Sequence, residues 1–138
     1  MLTGRRDIVA VIALGGVVGS LGRWELAQVL RHAAGAFPWA TFWVNVTGAF
    51  LIGALMHYVL EVWPPHRLVR PFLGVGVLGG WTTFSAYMLD ARGLVAGGHL
   101  LLAAAYLIGT LVLGLAAVWL GISLARALAR PHPAGGSR

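Results

Sequence analysis

Residues 79 to 87 read GGWTTFSAY, and their reading decides the fold of the chain. The stretch lies inside an uncharged run from Pro71 to Leu89. Two glycines followed by Thr82, Thr83 and Ser85 weaken a helix, because glycine disfavours it and hydroxyls offer the backbone competing bonds. A broken helix in an apolar run persists only where it is buried in protein or lines a hydrated cavity. Phe84 and Tyr87, three apart, share a helical face; taken alone, such a pair is ordinary core.

Working outward, the composition is that of a membrane protein. Of 138 residues, 59% are hydrophobic and 10% charged, with 20 Gly and no Cys. A bilayer core needs about 20 apolar residues per helix. Four segments qualify: Ile8 to Gly22, extendable to about Leu30; Phe37 to Leu60; Pro71 to Leu89; and Gly93 to Ala125, whose helix is expected to begin near His99. The connections are short and leave no room for a soluble domain. Residues 1–127 are expected to form one four-helix unit, and the Pro/Gly-rich stretch 128–138 a disordered tail.

The net charge of +6 comes from ten Arg without Lys. These lie at segment ends and in the tail, not on one face, which argues against nucleic acid. With the N-terminus inside, Arg5, Arg6, Arg67, Arg70, Arg126, Arg130 and Arg138 fall inside and Arg23, Arg31 and Arg92 outside. That seven-to-three bias favours both termini in the cytoplasm.

Each span carries small or polar residues of interest. Gly15, Gly19 and Gly22 form a stripe that allows close helix contact. Arg23 either snorkels to the interface or draws an anion toward a pore mouth. Asn45, about 9 Å deeper than Trp39 by helical rise, either bonds a neighbouring helix or lines a polar path, and Thr41 shares its face. His57 is expected at the interface. Thr110 sits on the small-residue stripe of the last span and is packing or a polar contributor.

Acids are few: Asp7, Glu25, Glu61 and Asp90, with Asp90 and Arg92 expected as a helix-end pair. None is central to a span, and the five histidines show no ligand spacing,. No catalytic constellation is present, so the chain is read as no enzyme. Neutral polar groups, aromatics and broken backbone favour passive permeation. A small dual-topology, proton-coupled multidrug exporter is the alternative, and it needs a central carboxylate. A non-transporting assembly subunit would leave Asn45 and the helix break without a role.

GGVVGSLGRW (15–24), TFWVNVTGAFLIG (41–53) and GVLGGWTTFSAY (76–87), in this order and spacing, resemble the Fluc fluoride channels, also called the CrcB family. The resemblance implies an all-α membrane protein of four transmembrane helices, the third broken near its middle. It further implies an antiparallel dimer with two fluoride pathways and a central structural sodium ion that is not transported. By the same resemblance, the backbone carbonyls of Gly79 and Thr82 hold sodium, and Asn45, Phe84, Ser85 and Tyr87 line the fluoride pore. Arg23 matches the vestibule base, and Thr41, Thr83 and Thr110 are further candidates for pore or vestibule. Three positions depart from the family pattern: Tyr87 replaces Phe, Ala86 stands where Thr is common, and Trp81 where a smaller apolar residue or Phe is usual. The implied setting is a bacterial inner membrane. The partner is a second copy of the chain or, given the charge bias, an oppositely oriented homologue.

Overall fold

The computed structural model describes residues 3–62 and 67–129. Helix α1 spans Thr3–Val29 and α2 spans Trp39–His57, prolonged by a wider π-helical turn over Tyr58–Val62. The third span starts as a π-helix over Arg70–Val77, with Pro71 in its first turn, where a missing N–H costs nothing,. It continues as the short α3, Leu78–Trp81, and after an interruption as α4, Phe84–Ala96. Helix α5 covers Leu100–Leu128. Among the described residues, four helical segments are long and apolar enough to cross a membrane: Arg5–Val29, Trp39–His57, Arg70–Ala96 and Leu100–Leu128. The protein is a multi-pass, all-helical membrane protein. The expected tail lies, from residue 130 onward, outside the described residues.

The connection between α4 and α5 follows from backbone chemistry. Gly98 takes φ +79°, its N–H donates to the Val95 carbonyl, and the His99 N–H donates to Leu94. This pattern closes the helix on its own last carbonyls and favours glycine at the left-handed position. His99 then caps α5, so the last span begins where the sequence places it.

Two helix pairs make up the subunit, and glycines decide both. In the first pair α1 lies against the third span's opening π-helix, Arg70–Val77, and α3: a Cβ on Gly15 would stand 2.5 Å from the Phe72 carbonyl oxygen, and one on Gly19 would strike the Val77 carbonyl. From the other side, a Cβ on Gly80 would stand 2.5 Å from the Gly16 carbonyl oxygen. In the second pair α2 lies against α5, where a Cβ on Gly53 would strike the Val118 carbonyl and one on Gly121 that of Phe50. Backbone-to-backbone approach of this kind replaces the hydrophobic drive that is missing between helices in lipid. Gly19→Ala is therefore expected to lower stability by roughly 1–3 kcal/mol through overpacking, read as the thermal unfolding midpoint in detergent.

At one end of the bundle, Phe42, Ala91, Leu94, Ala103 and the fully buried Tyr106 form a core, with Phe37 and Tyr87 packed on it. At the other end, Asp7 pairs with Arg67 at 2.7 Å, and Arg126 stands 3.9 Å from Glu61. These contacts gather the start of α1, the end of α2, the start of the third span and the end of α5 on one side. His57 lies at this charged end of the bundle, beside Glu61. It is buried at the end of α2, with a Glu61 carboxylate oxygen 3.0 Å from Nδ1.

Candidate functional site

The third span breaks at Thr82–Thr83, near its middle. Thr82 (φ −75°, ψ 156°) and Thr83 (φ −150°, ψ 125°) are extended. Gly79 and Gly80 are themselves helical. Gly80 thus serves close approach to α1, Gly79 faces open space, and the threonines carry the interruption.

Asn45 holds the break from α2. Its Nδ2 donates to the Thr83 carbonyl at 3.0 Å, and its Oδ1 accepts from the Thr83 N–H at 2.9 Å. One side-chain amide thereby replaces both helical partners of one residue. That N–H would, in a continuous helix, serve the Gly79 carbonyl. Upstream, Thr82 Oγ1 donates to the Leu78 carbonyl at 2.8 Å, and the Thr82 methyl sits where Gly48 carries no side chain. Downstream, Thr83 Oγ1 accepts from the Ala86 N–H at 3.2 Å and caps α4,. Ser85 Oγ lies 3.3 Å from the same hydroxyl.

Two cavities meet at the break. The larger, about 520 Å³, is lined among others by Asn45, Gly79, Thr82, Thr83, Phe84, Tyr87 and Thr110. The smaller, about 260 Å³, is lined by Ser20, Arg23, Trp24, Ala27, Ala40, Thr41, Val44, Thr83 and Ala86. Thr83 lines both. Nine of the ten residues singled out in the sequence therefore border one cavity or the other; Ser85 borders neither and is exposed one residue beyond Phe84. The hydroxyls of Thr41, Thr82, Tyr87 and Thr110 already donate within the subunit, so the walls offer the second Nδ2 hydrogen of Asn45, the Thr83 hydroxyl, the ring edges of Phe84 and Tyr87, and the N-terminus of α4, all suited to an anion.

Phe84 is 74% exposed in the subunit, its ring centroid 6.0 Å from that of Tyr87. Tyr87 donates its hydroxyl to the Leu107 carbonyl of α5 at 2.7 Å, and its ring packs on Tyr106 at 5.2 Å. Thr110 donates to the Tyr106 carbonyl at 2.7 Å. A cluster at the end of the smaller cavity was not legible beforehand. Asp90 accepts from Thr41 Oγ1 at 2.6 Å and from the Tyr106 hydroxyl at 3.4 Å. The expected Asp90–Arg92 pair does not form; Arg92 is exposed, and two hydroxyls take its place. Nothing in the sequence links residues 41, 90 and 106, which come from three different spans.

The model of the family described as "CrcB-like protein, Camphor Resistance (CrcB)" matches residues 10–122. The chain belongs to the CrcB family. Among its relatives in that family, a protein of Streptomyces avermitilis named "Fluoride-specific ion channel FluC 2" is 53% identical over 108 residues, covering 78% of this chain and 68% of that protein. A second from the same organism, "Fluoride-specific ion channel FluC 3", is 50% identical over 91% of this chain and 62% of its own length. The chain thus spans a little under two thirds of that relative. "Fluoride-specific ion channel FluC" of Rhizobium meliloti is 40% identical over 87% of this chain and 97% of its own length. CrcB relatives bear the names of ion channels and not of enzymes, in keeping with the reading of this chain as a non-enzyme.

Proposed function

We propose that this CrcB chain is a subunit of a passive fluoride channel that lets cytoplasmic fluoride leave the cell. The observation that carries the reading is the 520 Å³ cavity at the break in the third span, whose lining holds Asn45, Thr83, Thr110, Phe84 and Tyr87 and no ionisable carboxylate. Fluoride is small and strongly hydrated. A path for it must replace water with fixed donors and ring edges, and a rigid neutral wall does so without trapping the ion on a countercharge. Asn45, Phe84, Ser85 and Tyr87 are assigned to the path, and Arg23, with Thr41 beside it, to the vestibule. The names of the relatives support fluoride as the ion.

A structural sodium ion fits the break chemically. The amide of Thr83 serves Asn45 and not the Gly79 carbonyl, Gly79 is exposed, and nothing stands within 4 Å of where its Cβ would be. Carbonyl oxygens released from helical bonding suit a hard monovalent cation. Gly79 and Thr82 would hold it, and it would supply a fixed positive charge near the anion path. Following the family resemblance, the assembly is assigned as an antiparallel dimer, in which the exposed Phe84 ring would lie at or near the partner. A second copy is the favoured partner; an oppositely oriented homologue is the alternative.

Outward flow follows from the membrane potential, since fluoride entering as neutral HF ionises in a less acidic cytoplasm. The test is efflux from liposomes loaded with fluoride or chloride after a potassium ionophore is added. Fast fluoride loss without chloride loss is expected. Folded, dimeric protein without fluoride flux would sink the reading, and a requirement for a pH gradient would favour the proton-coupled exporter. Tyr87→Phe keeps the ring and removes a hydroxyl already committed to Leu107. It is expected to leave efflux within about threefold of wild type and to lower stability by about 1 kcal/mol.

A further inference from the structure

Trp81 is the last helical residue before the break, and its indole occupies a notch cut by two glycines of other spans. A Cβ on Gly22 of α1 would stand 3.0 Å from Cζ3, and one on Gly48 of α2 would stand 3.3 Å from Cδ1. Nε1 donates to Thr47 Oγ1 at 3.0 Å. Thr47 Oγ1 is itself anchored, donating to the Trp43 carbonyl at 2.6 Å. The Trp81 backbone is held as well, since a Cβ on Gly19 would stand 2.7 Å from its nitrogen. The residue is thus fixed to α1 by backbone and ring, and to α2 by ring and indole N–H.

The break consequently has a clamp on either side. Asn45 grips Thr83 from downstream, and Trp81 grips the chain from upstream, with the Thr82 carbonyl between them. Torsional freedom at Thr82 is what would let that carbonyl swing. We propose that Trp81 is a positioning residue for the cation site. Seated on Gly22 and Gly48 and tied to Thr47, its indole holds α3 in place, and with it the Gly79 carbonyl, and sets the direction in which the chain leaves toward the Thr82 carbonyl. This inference rests on the sodium reading above and adds to it the side chain that holds the site in shape.

The test measures sodium binding through stability, without flux. The thermal unfolding midpoint of purified protein is followed while Na⁺ replaces N-methyl-D-glucamine at constant ionic strength; a ligand that binds only the folded state stabilises it by RT ln(1 + c/Kd) at Na⁺ concentration c, so the titration yields Kd, the Na⁺ concentration of half-occupancy, as its half-point. Thr47→Val removes the acceptor while keeping the side-chain volume, and Trp81→Phe removes the indole N–H and part of the ring. Each is expected to raise that half-point by about fivefold, the equivalent of one hydrogen bond. Trp119→Phe, on the exposed face of α5, is expected to leave it unchanged. A purely packing role would lower the unfolding temperature at every Na⁺ concentration and leave the half-point in place, and that result overturns the inference alone. A wild-type midpoint indifferent to Na⁺ overturns the sodium reading and this inference together. If Trp81→Phe does not fold, the half-point of Thr47→Val decides.

Discussion

Asn45→Asp is expected to reduce fluoride efflux at least about 100-fold while leaving a protein that inserts and dimerises. The amide serves Thr83 with both ends, donating to its carbonyl and accepting from its N–H. A carboxylate keeps only the second bond. It leaves the carbonyl without its donor, at about 1–3 kcal/mol, and sets oxygen against oxygen. It also brings a negative charge into a membrane-embedded cavity, which costs roughly 2.5–3.5 kcal/mol on insertion scales and repels the permeating anion. A barrier increase of about 2.7 kcal/mol already lowers a rate 100-fold, so the estimate is a floor. Fluoride-electrode traces from liposomes, alongside size-exclusion profiles, check it. Efflux at the wild-type rate in folded Asn45→Asp would remove Asn45 from the path.

Phe84→Ile should also lower flux, less steeply and for a different reason, with almost no effect on the subunit. At 74% exposure the ring supports little of the subunit's own core; its aromatic neighbour is Tyr87, 6.0 Å away between centroids. Replacing it with a branched aliphatic of similar hydrophobicity keeps the greasy surface and removes the positive ring edge. An efflux loss of at least about tenfold with the unfolding midpoint shifted by less than about 2 °C is the expected pair of results. A fall in stability with flux retained would make Phe84 a packing residue of the assembly. The two variants separate the roles at the break: Asn45 shapes backbone and path together, Phe84 the path alone.

Much of this protein follows from the order of its residues. Four apolar runs of bilayer length, separated by Pro, Gly and Arg, are sufficient to specify four spans, because in hydrocarbon the backbone has no partner except itself. The GGWTTFSAY stretch likewise marks the interruption, since hydroxyls and glycines at that depth cannot form a stable continuous helix unaided. Only the tertiary structure decides which residues break it and which glycines lie against a neighbouring backbone. Gly79 and Gly80 remain helical, and Thr82 and Thr83 depart, because Asn45, 38 residues away, takes over the Thr83 backbone bonds. The bond from Trp81 to Thr47, that from Tyr87 to Leu107, and the approach of Thr41 and Tyr106 to Asp90 join different spans. Helical periodicity relates residues three or four apart within one segment. It carries no information on which face of one helix meets which face of another; here that is set by glycines that let two backbones touch.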